Sequence, residues 1–323
     1  PAGLLRWLTI LLCYAAMARI AWDVECHKAA GVSLLLGLAI AGGIFSAYAL
    51  KFTEQFGTLA AYQRAIPGVH PNHQAMICGA TSVLALGLLF LYRNAKLRAI
   101  LLATAVMAAA AMTITGSRTA VAASLVGAGS FVVLRFDYRS VAKPILILSS
   151  IASLAVVGLF LCWDTLLPHL DRFLLARPIG TLSGRTEIWG YVIEGMFRPP
   201  IMPLGLGPGT GREFLVDLFS KQAHNGYLQM IVDLGPMAMV PLLLLFGTPL
   251  VRGLKAVDRF PKQAALFFAV IVFILVHALT ESDFDRLGNG AHLAFILSVV
   301  KLWQARHWQT PGEGDMAARP AAS

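Results

Sequence analysis

A histidine and three arginines are placed where they could do chemistry. His224 and Asn225 lie in KQAHNGYLQM (Lys221–Met230), just before the apolar run IVDLGPMAMVPLLLLF. Imidazole can take a proton from a hydroxyl near neutral pH; the competing reading is a solvated histidine at an interface. Asn225 offers an amide to a neighbouring carbonyl or a sugar, and Tyr227 suits an aromatic belt. Arg118, in GSRTA (Gly116–Ala120), is pinned between two apolar runs by an almost bare turn. It either snorkels to mark a helix end or offers a planar donor fork to a phosphate. Arg185, in SGRTEIW (Ser183–Trp189), stands at a helix start, with Ser183 or Thr186 as cap and Glu187 in the first turn. A cation at the positive end of a helix works against folding and favours an anion partner, with a plain loop arginine as the alternative.

Other candidates are weaker. Arg212 follows PLGLGPGTG (Pro203–Gly211), whose glycines lack the strand and helix of a dinucleotide-binding unit and read as a flexible turn. His70 and His73 in HPNH are three apart, but no nearby carboxylate or cysteine completes a metal shell. Pro71 and Asn72 favour a turn or helix start there, with His70 and Asn72 lining an external groove. Asp233 is a carboxylate within an apolar run, costly in lipid and therefore a functional candidate, with an arginine as its expected partner. The cluster ESDFDR (Glu281–Arg286) could hold arginine side chains in place or contact sugars.

These residues need elements to carry them, and composition says which. Of 323 residues, 57% are hydrophobic and only 13% charged, with four widely spaced cysteines, Cys13, Cys26, Cys78 and Cys162. Mean hydropathy is +0.70. Soluble domains carry about twice that share of charge, so the expected fold is all-α: a polytopic bundle of membrane helices. About nine spans are read, at roughly 3–22, 29–50, 73–92, 97–115, 119–134, 144–163, 226–251, 264–280 and 290–304. The chain opens on Pro1 directly in an apolar run, which suggests a truncated start with further helices lost.

The net charge of +9 forms no single nucleic-acid patch. Basic residues cluster instead in alternate loops, around Arg93 to Arg98, Arg135 to Lys143, Arg252 to Lys262 and after Lys301, which places those loops in the cytoplasm. The opposite face then carries 51–72, the tip at Gly116–Arg118, the long loop 164–225 and 281–289. Residues 1–305 are expected to form the membrane domain, including the long loop 164–225 with short helices as the place to look for chemistry, and 306–323 a disordered cytoplasmic tail. The loop holds six basic and six acidic residues, and long loops translocate regardless of charge.

GSRTA, SGRTEIW, PLGLGPG and HNGYLQMIVDLG, in that order over about residues 110–245, together resemble the bacterial O-antigen ligase and polymerase family, with weaker agreement in HPNHQAM. The resemblance implies glycan transfer from an undecaprenyl-pyrophosphate carrier to an acceptor at the periplasmic side of the inner membrane, without metal or other cofactor. It matches Arg118 and Arg185 to the family's pyrophosphate-binding arginines and His224 to its acceptor-activating histidine. Arg212, Asn225, His70 and Asn72 remain candidate substrate contacts. The acceptor would be lipid A–core oligosaccharide in a ligase, or another lipid-linked repeat unit in a polymerase; membrane lipids are the other partners, and nucleic acid is not one. A transporter or flippase for an anionic lipid is the reading from another class. It would require charges deep in several helices and inverted repeats, of which mainly Asp233 is visible. A non-catalytic scaffold would leave the arginine and histidine set unexplained.

Overall fold

The computed structural model describes residues 28–55, 70–135, 185–198, 201, 204–207, 210–219, 224–281 and 290–304. Among them the chain is helical, without strands. In chain order the helices are α1 (Lys28–Gln55), α2 (Pro71–Leu91), α3 (Ala95–Ile114), α4 (Arg118–Arg135), α5 (Arg185–Gly195), α6 (Gly211–Phe219), α7 (Gly226–Leu234), α8 (Met239–Ala256), α9 (Pro261–His277) and α10 (Gly290–Gln304). Four stretches are long and apolar enough to cross a membrane: Pro71–Leu91, Ala95–Ile114, Arg118–Arg135 and Pro236–Ala256. Leu36–Lys51, Pro261–His277 and Ala291–Gln304 are shorter apolar helices. The expected spans at 3–22 and 144–163, and the tail 306–323, lie outside the described residues.

Local chemistry sets most boundaries. Pro71 opens α2 where its missing N–H costs nothing, and His70 Nδ1 accepts the Asn72 N–H at 3.3 Å. Asn94 caps α3 by accepting from Leu97 N at 3.1 Å. Between α3 and α4 the turn needs only Gly116, at φ 70°, and Ser117, whose Oγ accepts from Ala120 N at 3.4 Å. Short links at 92–94 and 115–117 therefore fold α2, α3 and α4 up and down, as the bare turn at GSRTA predicts.

One expected span is corrected. The stretch 226–251 is not a single helix: α7 stops at Leu234, Gly235 takes φ 80°, and a 3₁₀ turn (Pro236–Ala238) leads into α8. Gly235 adopts a conformation disfavoured for other residues, and Pro236 cannot supply the N–H that would continue the helix. The segment that can cross a membrane is Pro236–Ala256, so His224 precedes a short separate helix rather than a spanning one. The expected span 264–280 likewise ends as a helix at His277, followed by a turn over 278–280.

Helix α9 is the axis of the bundle. Its Leu266, Val270, Ile271, Phe273 and Ile274 are buried against α2, α4, α8 and α10. A helix apolar all round belongs inside. Apolar surface alone gives little drive to associate in lipid, so close approach and dispersion must hold such helices together. Glycines permit that approach: a Cβ at Gly127 of α4 would stand 3.0 Å from the Ala269 carbonyl oxygen, and one at Gly79 of α2 would meet the Phe273 ring at 2.8 Å. By contrast, α8 turns Leu243, Leu244 and Val251 outward, more than half exposed.

Candidate functional site

Four elements meet where α9 ends. A helix leaves its last carbonyls without intrahelical partners and carries partial negative charge there. In α9 and its closing turn these oxygens are taken by other segments. Tyr227 Oη donates to Leu275 O at 2.9 Å, Gly226 N to Ala278 O at 2.8 Å, Asn225 Nδ2 to Leu279 O at 2.7 Å and Arg185 Nη1 to Thr280 O at 2.8 Å. The N-termini of α5 and α7 are thereby docked onto the C-terminus of α9, positive ends against a negative one.

The next residue, Glu281, is the junction. Its Oε1 accepts from Asn72 Nδ2 at 2.6 Å and from Arg185 Nη2 at 3.3 Å, and its Oε2 faces His224 Nδ1 at 3.5 Å. The side chains of Arg185, His224 and Glu281 are 19%, 29% and 10% exposed. Burial by itself would raise the Glu281 pKa; the hydrogen bond from His224, the charge of Arg185 and the bond from Asn72 hold it below the ordinary carboxylate value. A carboxylate this buried would be strongly destabilising without such partners. Beside it Thr280 Oγ1 donates to Thr119 Oγ1 at 2.5 Å, which ties the same turn to the first turn of α4.

The residues singled out in the sequence are only partly brought together. Arg185, His224 and Asn72 come together on one carboxylate. Arg118 is half-buried at the start of α4, one residue from Thr119, with no hydrogen bond or ion pair among the described residues. Its backbone thus adjoins the junction through Thr119. Asn225 is buried and turned inward: Oδ1 accepts from Tyr227 N and Leu228 N at 3.0 Å each while Nδ2 holds Leu279 O. Of the two partners open to it in the sequence, the neighbouring carbonyl is the one its amide meets. His70 is exposed and caps α2, with its ring edge-on to His73 at 6.3 Å. Arg212 sits in the first turn of α6, and its side chain lies outside what the structure describes.

Two local features aim the site. His224 has φ 47°, the only non-glycine left-handed residue among the described ones. Histidine tolerates this region better than branched residues do, and such positions concentrate at functional sites. Farther along α7, Asp233 Oδ1 accepts from Gly211 N at 2.8 Å and Gln229 Nε2 at 3.2 Å. Leu206 N and Gly207 N donate to the carbonyls of Val232 and Asp233. The glycine-rich turn is thus laid along α7, and Ile188, Val192, Leu215 and Val232 close a small core that fixes α5 and α6 on it.

Glu281, Thr280 and Thr119 are the partners that residue-type reasoning does not single out. In the sequence Glu281 is visible only as one acid in ESDFDR. Its signal is its position, as the first charged residue after an apolar run.

With this geometry in place, the comparisons with known proteins bear on it. No curated protein and no solved structure matches the chain. A family model described as O-antigen ligase matches residues 103–243, from within α3 to within α8. That stretch includes Arg118, Arg185 and His224, and over it the chain is similar to the O-antigen ligase family.

Proposed function

We propose that this protein is a membrane glycosyltransferase that moves a glycan from undecaprenyl pyrophosphate to an acceptor hydroxyl at the periplasmic face of the inner membrane. The observation that carries the reading is the meeting of Arg185 and His224 on Glu281, beside Arg118 at the start of α4, which is unpaired among the described residues. Breaking a sugar–pyrophosphate bond develops negative charge on the departing diphosphate. Arg185, held by Glu281 and the Thr280 carbonyl, and Arg118 stabilise that charge. His224 takes the proton of the acceptor hydroxyl as its oxygen attacks the anomeric carbon. Direct attack inverts that carbon. The scissile bond supplies the driving force, so no nucleotide is required.

Lipid A–core oligosaccharide is the proposed acceptor, in keeping with the ligase description of the matching family. The test is transfer by the purified protein in lipid, with an undecaprenyl-pyrophosphate glycan offered either lipid A–core or a second lipid-linked repeat unit. We expect product with lipid A–core, and losses of about 10²–10³-fold for His224→Ala and Arg185→Ala. Variants as active as wild type would overturn the mechanism. Product with the lipid-linked repeat alone would replace ligase by polymerase.

A further inference from the structure

Glu281 divides its two oxygens between two tasks. Oε1 receives Asn72 and Arg185, while Oε2 faces His224 Nδ1. An ionised carboxylate has no proton to give, so a hydrogen bond between Glu281 and His224 places the proton on Nδ1. Neutral imidazole protonated at Nδ1 carries its lone pair on Nε2. The carboxylate has little freedom to move. The turn before it is held by Asn225, Gly226 and Arg185 through the carbonyls of residues 278–280, and by the Thr280–Thr119 hydroxyl contact.

We infer that Glu281 is a positioning residue for the transfer. It holds His224 in the tautomer whose Nε2 is free, and with the same carboxylate it fixes Arg185 relative to that base. The inference rests on the transferase reading of the site. In the step it serves, the acceptor O–H proton passes to Nε2 and the acceptor oxygen bonds to the anomeric carbon. The bond from that carbon to the diphosphate oxygen breaks, and its electron pair leaves with the diphosphate. The imidazolium so formed lies against the Glu281 carboxylate. The 3.5 Å contact of the resting protein shortens as one partner gains charge, because charge-assisted hydrogen bonds are shorter and stronger.

A structural carboxylate and a positioning one differ in what glutamine does. In Glu281→Gln the new amide keeps an oxygen for Asn72 and Arg185 but turns an N–H toward His224 Nδ1, imposing the opposite tautomer. Steady-state transfer by the full chain in lipid should show kcat lowered by about 10²–10⁴-fold in Glu281→Gln, because a misoriented imidazole loses general-base catalysis. Donor KM should move by less than about 3-fold, and Glu281→Gln should add little to His224→Ala, because groups acting as a unit are not additive. Glu281→Asp, which restores the charge one methylene farther back, should recover part of the loss.

A Glu281→Gln kcat within about 3-fold of wild type, or a loss that multiplies fully with that of His224→Ala, overturns the inference. A readout independent of any Glu281 variant is the ¹⁵N spectrum of histidine-labelled wild type, with His224 assigned by His224→Gln. An Nδ1–H signature is expected, and an Nε2–H signature overturns the inference. A wild type that transfers nothing from any lipid-linked glycan would sink the transferase reading instead, whatever tautomer the spectrum shows.

Discussion

Burial pushes the Glu281 carboxyl toward its neutral form, and His224, Arg185 and Asn72 push it back further. The folded protein therefore binds this proton more weakly than the unfolded chain does, where a glutamate titrates near about 4.3. The stabilisation is fully present above that ordinary range and is lost as pH falls through the lower folded value. The thermal-stability gap between wild type and Glu281→Gln should be widest above about pH 5 and should close on acidification below about pH 4. A gap that stays constant or widens there would show that the carboxylate is not held by these charges. Glu281 also marks where reading single residues stops. Arg185 and His224 stand out by type and local setting, whereas Glu281 contacts residues 57, 96 and 209 positions away. Locally only its place, first after the apolar run, separates it from Asp283 and Asp285. Asn72 is visible in the sequence only as a weak candidate, and its strongest described contact is this same carboxylate.

Among the elements, α7 bears the most on the site and is the hardest to delimit from sequence. Hydropathy averages over a window, so Gly235 and Pro236 vanish into an apolar run that continues on both sides. The backbone does not average: the break leaves α7 as a nine-residue platform, with His224 at one end and the glycine-rich turn at the other. Gly205 shows how tight that docking is. It has φ +71°, and a Cβ there would stand 2.5 Å from Gly235 N and 2.6 Å from Asp233 O, both backbone atoms with nowhere to go. Gly207 has φ +102°, but its nearest neighbour would be Thr210 Oγ1 at 3.6 Å. Gly207→Ala should therefore cost about 1 kcal/mol of backbone strain. Gly205→Ala should cost well above about 2 kcal/mol, since it adds a clash of the kind that costs about 1–3 kcal/mol in overpacked cores. Thermal unfolding and limited proteolysis across 195–215 would rank the two, and equal effects would mean that the turn is not seated on α7 as described.

At the scale of the molecule the two ends of the bundle differ in chemistry. One end gathers the starts of α2, α4, α5 and α7 around Glu281. The other collects Arg93, Lys96, Arg98, Lys255 and Arg259, all exposed, with Arg252 stacked 4.3 Å from the Trp303 ring. Composition makes a membrane bundle legible, but not its central member. α9 and α8 are both apolar, and only packing shows that one is enclosed while the other faces outward. Because basic loops are generally retained on the cytoplasmic side, the orientation we propose has the Arg93–Arg98 end inside and Glu281 outside, where a glycan carried on a flipped lipid would be presented. In a cysteine-free background, Thr186→Cys on α5 and Lys96→Cys on α3 replace exposed residues at the two ends. A membrane-impermeant maleimide applied to spheroplasts should label position 186 directly and position 96 only after permeabilisation. The reverse pattern would put Arg185 and His224 on the cytoplasmic side, and a donor presented in the periplasm could then not be their substrate.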